Sequence, residues 1–117
     1  MEIMIRNYDS KTDDGYIYST WTKFAFHSQK KKNQETDRNL WFKNKCKEIH
    51  HALSTGTPRI ACLKEFPFMI IGYIVEVEGK VIWTCVKKDY HNQGIEDFLQ
   101  RSLAAETNKK GILNEPS

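Results

Sequence analysis

The chain has 117 residues, with 18 basic and 15 acidic side chains and a net charge of +3. A hydrophobic share of 39% and an aromatic share of 12% exclude a disordered chain, and the length predicts one domain. No window approaches the roughly 18 apolar residues of a membrane span, and Met1 to Arg6 does not read as a secretory leader.

Ile3 to Asn7 is short and apolar-rich and predicts a first strand. Asp9 to Gly15 reads as a turn, with Asp13 or Asp14 as the cap of a helix from about Asp14 to Phe26. Ser28 to Glu35, with Lys30, Lys31 and Lys32, has no apolar periodicity and reads as a basic surface loop. Thr36 or Asp37 caps a second helix, in which Phe42, Cys46, Ile49 and Leu53 form one buried stripe. Lys43, Lys45 and Lys47 fall mostly off that stripe, toward water. Gly56 and Pro58 stop this helix.

Three strands follow. Arg59 to Leu63 is short, Ile70 to Val77 is rich in β-branched residues, and Lys80 to Val86 returns after a Glu78-Gly79 hairpin turn. Lys87 to Gln93 is polar. Gly94 opens a third helix in which Ile95, Phe98, Leu99 and Leu103 share a face. Gly111 to Leu113 suggests a short fifth strand. The fold class is therefore α/β (α+β): strand, two helices, a three-strand antiparallel meander and a crossover helix. A strand, a polar loop, a glycine and a helix N-terminus in succession make an anion site, because unpaired amides and the helix dipole meet there.

Other candidates read as structural. The odd number of cysteines, Cys46, Cys62 and Cys85, without a CxxC, points to reduced thiols in a cytoplasmic protein. Cys62 and Cys85 read as small core residues. Cys46 and His50 are four apart on one helix, but two ligands do not close a zinc site, so no metal is expected. Glu76 and Glu78 stand near the end of the third strand. Glu76 is the weak candidate for a general base, against the plainer reading of a solvent-facing strand end. Tyr90 is expected to pack beside the third helix. The mild net charge makes nucleic acid an unlikely partner. Phe66, Phe68 and Met69 around Pro67 belong to the core or to a partner patch.

The run from Ile71-Gly72-Tyr73-Ile74-Val75 through Val81-Ile82-Trp83-Thr84-Cys85-Val86 to Lys87-Lys88-Asp89-Tyr90-His91-Asn92-Gln93-Gly94-Ile95 resembles the GNAT (Gcn5-related N-acetyltransferase) family. Ile5-Arg6 and Ile17-Tyr18-Ser19-Thr20-Trp21 are similar to small phage-encoded members. The resemblance covers residues 1–103, leaving a tail from 104 to 117. It implies acetyl-CoA as cofactor and a primary amine as acceptor. It also implies that Val86, Lys87, Lys88, His91, Asn92, Gln93, Gly94 and Ile95 surround the cofactor, with loop amides on its pyrophosphate. His91 stands where the family pattern has Arg or Gln, and Glu96 where it has Gly or Ala. A full member continues with a fifth strand, a fourth helix and two more strands, including a tyrosine acid that no residue here matches. Two expectations follow from the resemblance. One is an acetyl-CoA-dependent N-acetyltransferase. The other is a non-catalytic, truncated GNAT-like protein that self-associates or joins a larger assembly through an open strand edge.

Overall fold

The computed structural model describes residues 2–28 and 37–103. Its elements are β1 (Ile3–Asn7), α1 (Ser10–Ser28), α2 (Arg38–Thr55), β2 (Thr57–Leu63), β3 (Ile70–Val77), β4 (Lys80–Val86), a 3-10 turn at Lys88–Tyr90 and a helix α3 over 95–103. The class is mixed α and β. The four strands form one antiparallel sheet in the order β1-β2-β3-β4. The Lys30 to Lys32 loop, the alternative cap Thr36 and the strand expected at Gly111 to Leu113 lie outside the described residues.

Each sheet face carries its own core. On one face Ile60, Tyr73 and Val75 meet Ile17 and Trp21 of α1 and Ile49 and Leu53 of α2. On the other, Ala61, Ile71 and Ile74 meet Ile95, Leu99 and Leu103 of α3. That is why Ile70 to Val75 reads as an unbroken apolar run: β3 is buried on both sides. The pairing passes from Ala61 with Gly72 to Cys62 with Ile70, so Ile71 is an extra residue. This bulge breaks the two-residue alternation, so Ile71 and Tyr73, two apart, enter opposite cores. Glu78 and Gly79 both have positive φ, 52° and 80°, the two-residue type I′ geometry that joins twisted strands.

The start of α1 corrects the expected cap. Asp9, not Asp13 or Asp14, caps the helix: its side chain accepts from Lys11 N–H at 3.1 Å, and its carbonyl accepts from Asp13 N–H at 2.9 Å. Asp13 sits inside the first turn with no exposure. Its carboxylate receives both Arg6 Nη atoms at 2.8 and 2.7 Å, Asp9 N–H at 2.8 Å and Thr12 Oγ1 at 3.1 Å. Arg6 Nε also donates to Pro67 O at 2.8 Å, so one guanidinium joins β1, α1 and the β2–β3 connection. The helix also runs two residues beyond the expected end at Phe26. Asp37 caps α2, its carboxylate accepting from Asn39 N–H at 2.9 Å. β2 begins at Thr57, two residues earlier than expected.

Cys62 and Cys85 are buried, and Cys46 is half-buried beside the exposed His50. Phe66, Phe68 and Met69 are exposed. Trp21 and Trp83 stack with ring centroids 5.2 Å apart. The Tyr73 hydroxyl lies 2.8 Å from Thr20 Oγ1, donates to Ile17 O at 3.2 Å and receives Trp83 Nε1 at 3.2 Å. Burial raises its pKa, so the phenol stays neutral.

Burial pushes the Asp13 carboxyl up, but the hydrogen bonds and charge of Arg6, together with Asp9 N–H and Thr12, hold it below the ordinary value. Its stabilising contribution is complete near neutral pH and is lost as pH falls through the depressed folded value. Asp13→Ala leaves the Arg6 guanidinium uncompensated and is expected to cost about 3–5 kcal/mol. Urea unfolding at pH 7 reads that loss. The same measurement across acid pH shows a smaller decline for the variant than for the parent.

Candidate functional site

β4 ends at Val86, and the chain must cross from the sheet to reach the face that α3 covers. The ladder continues one bond past the strand, with Lys87 N–H donating to Ile71 O at 2.8 Å. Gly72, opposite Val86, allows this close pairing: a Cβ there would lie 2.7 Å from Cys85 O. The 3-10 turn then closes through Tyr90 N–H to Lys87 O at 2.9 Å and His91 N–H to Lys88 O at 3.2 Å. Asn92 and Gly94 have φ of 65° and 77°, so two left-handed residues bend the chain into α3. Ile95, Leu99 and Leu103 recur at every fourth position and are buried, which fixes the axis of α3 against the sheet.

A cavity of about 570 Å³ opens at this junction. It is lined by Val86, Tyr90, His91, Asn92, Gly94, Ile95, Glu96, Asp97 and Gln100. The first internal bond of the helix runs from Phe98 N–H to Gly94 O at 3.0 Å. Among the described residues, the backbone amides of Asn92 through Asp97 meet no acceptor. Unpaired amides at a helix start carry partial positive charge and suit a phosphate or carboxylate. The space beside Gly94 is open, with no atom within 4 Å of a Cβ built there.

Five of the eight expected cofactor residues line this cavity: Val86, His91, Asn92, Gly94 and Ile95. Lys87, Lys88 and Gln93 do not. The Lys87 ammonium lies 5.5 Å from the centre of the Tyr16 ring of α1, a cation–π contact. Gln93 donates to Asp89 O at 3.3 Å and braces the loop. His91 Nε2 lies 2.8 Å from Val86 O, so the imidazole ties the loop back to the end of β4. Tyr90 packs against the α3 core as expected and also lines the cavity.

Glu96, Asp97 and Gln100 complete the lining. Asp97 is paired with Arg101 at 3.1 Å. Glu96 has no cationic partner among the described residues, so its carboxylate bears on any anion in the cavity. The spacing of Glu96 and Gln100, four apart and each one residue past Ile95 and Leu99, is the sequence signal that they share one flank of the buried stripe of α3. The weak candidate Glu76 is elsewhere. It pairs with Thr57 and Val81, four residues along β3 from Gly72, or about 13 Å from the strand end that borders the cavity.

No family model, curated protein or solved structure matches the chain.

Gly94→Ala puts a β-carbon on a left-handed residue and is expected to cost roughly 1–2 kcal/mol. The loss appears as a lower urea midpoint with an unchanged far-UV spectrum, because the space around Gly94 is open and the sheet is not disturbed.

Proposed function

We propose that the chain is a GNAT-like N-acetyltransferase that moves an acetyl group from acetyl-CoA to a primary amine. The observation that carries this reading is the cavity at the end of β4, bordered by residues with unpaired amides, Asn92 and Gly94 to Asp97. The element order up to α3, with helices on both faces of an antiparallel sheet, agrees with the architecture that the resemblance implies.

The donor set fits a diphosphate through its backbone. The amides of Asn92, Gly94 and Ile95 would hold the pyrophosphate, and Val86 would border the arm that follows it. When bound, acetyl-CoA supplies an activated thioester. The chain's own contribution is then orientation, with the loop braced by His91 on Val86 O and Gln93 on Asp89 O. Glu76 stands along the strand from this cavity, so no general base is assigned to it. Glu96 acts against the ligand by like-charge repulsion.

A second reading rests on Glu96: a non-catalytic GNAT-like interaction protein, in which an acid at the helix start stabilises α3 by about 0.3–1 kcal/mol through the dipole. In that reading the edge of β4, unpaired among the described residues, is the surface for self-association or assembly.

Thermal unfolding with acetyl-CoA up to millimolar concentration separates the two. The enzyme reading expects a dose-dependent rise in melting temperature, by mass action. Glu96→Gln should tighten binding roughly five- to tenfold. Release of free thiol from acetyl-CoA in the presence of a primary amine is the companion readout. No thermal shift in the parent or in Glu96→Gln overturns the acetyltransferase reading and leaves the interaction protein.

A further inference from the structure

The chain's positive charge is concentrated on one helix. α2 contains Arg38, Lys43, Lys45 and Lys47 against the single acid Glu48, so its 18 residues carry the same +3 as the whole molecule. The remaining residues sum to zero. Within α2, Glu48 is already engaged by Lys45 at 2.9 Å. Lys45 also lies 5.7 Å from the centre of the Trp41 ring, and Arg38 lies over Phe26 and Phe42 at 5.3 and 5.7 Å. These two cations therefore sit on the aromatic cluster at the start of the helix.

Lys43 and Lys47 do not. Both are exposed, and neither has a carboxylate partner among the described residues. They stand four residues apart, about 6 Å along the helix axis, on a line that continues to the exposed His51. Asn39, Asn44 and His50 flank that line and are exposed as well. The buried side of the same helix is Ile49, Ala52 and Leu53 against the sheet. The outer face is thus a straight strip about 18 Å long from Asn39 to His51, made of cations and neutral hydrogen-bonding groups and bordered by the exposed Glu48, which Lys45 engages.

We propose that this outer face of α2 binds the phosphate backbone of duplex nucleic acid, without regard to base sequence. Three features select that partner. A protein interface has an apolar centre, and this strip's single exposed apolar residue is Leu40 at its end. Attachment to an anionic bilayer by an amphipathic helix needs an apolar face to insert, and the aromatic rings of α2, Trp41 and Phe42, are packed against Phe26 instead. Single strands are held by exposed stacking rings, which the strip also lacks. Polar, hydrated and strongly positive surfaces are the mark of duplex-backbone binding. The strip lies on the sheet face opposite α3 and its cavity, so this binding is independent of the acetyl-CoA reading.

The test is fluorescence anisotropy of a labelled 20-base-pair DNA duplex titrated with the full chain between 20 and 150 mM salt. Binding is expected in the range of about 10⁻⁴ to 10⁻⁶ M, weakening steeply with salt. Lys43→Gln with Lys47→Gln should lower the magnitude of the log–log salt slope by about 1.8 and the low-salt affinity at least tenfold. Both positions are exposed, so the parent far-UV spectrum and melting temperature should be retained. The paired control Lys11→Gln with Lys80→Gln removes the same charge elsewhere and should leave the slope unchanged. Three results overturn the proposal: no binding at 20 mM salt, equal losses in the two double variants, or binding to phosphatidylserine vesicles with none to the duplex.

Discussion

The central constraint is a strand with no solvent face. From Ile70 to Val75 every residue of β3 is buried, so the sheet must be covered on both sides. α1 and α2 cover one side and α3 covers the other. A chain leaving the edge strand β4 can reach the second side only by turning sharply over the sheet end. The left-handed conformations of Asn92 and Gly94 and the pairing of Lys87 with Ile71 O make that turn. A helix that starts immediately after it keeps its first amides unpaired, so the cavity at Val86 to Gln100 is a by-product of two-sided burial. The candidate site is thus built by the core rather than added to it.

A second constraint fixes the first helix. Asp13 is fully buried yet charged, which is tolerable because Arg6, Asp9 and Thr12 fill its hydrogen-bonding capacity. Arg6 belongs to β1 and also reaches Pro67 O, so the helix start and the β2–β3 connection are set by one side chain. The exposed Phe66 and Phe68 are therefore carried on a connection fastened at its middle.

Much of this was legible in residue order. β1, β3 and β4 occupy the segments that apolar and β-branched content indicates, and the Glu78-Gly79 turn joins the last two. The misreadings share one cause, a residue whose meaning depends on a distant partner. Asp13 resembles a surface cap until Arg6, seven residues back, is seen to bury it. Gly56 ends α2 as its sequence indicates, but Thr57 and Pro58, read as lying before the strand, already belong to β2. Pro58 pairs with Val75 alone because β1 has already ended at Asn7 opposite Arg59, so its missing N–H faces no neighbour. The site region was readable from the strand, loop, glycine and helix in succession. The assignment of side chains within it was not: Lys87 turns to the Tyr16 ring and His91 to Val86 O, contacts that no spacing rule encodes. The charge on α2 was visible as lysines off an apolar stripe, but only the placement of Glu48 and Arg38 separates the engaged cations from Lys43 and Lys47.

The order of strands in the sheet follows the order of strands in the chain, but the loops that the pairings close differ greatly in length. β3 and β4 meet across two residues, whereas Asn7 of β1 meets Arg59 of β2 52 positions away. Each doubling of a closed loop adds about 0.6 kcal/mol of entropy cost, and such distant pairings form late. The hairpin therefore has every reason to assemble early, and β1, although translated before everything it touches, waits for both intervening helices. Until it docks, Arg6 has no carboxylate and β2 presents a bare margin, so the nascent molecule is most open to wrong partners on the side farthest from its cavity.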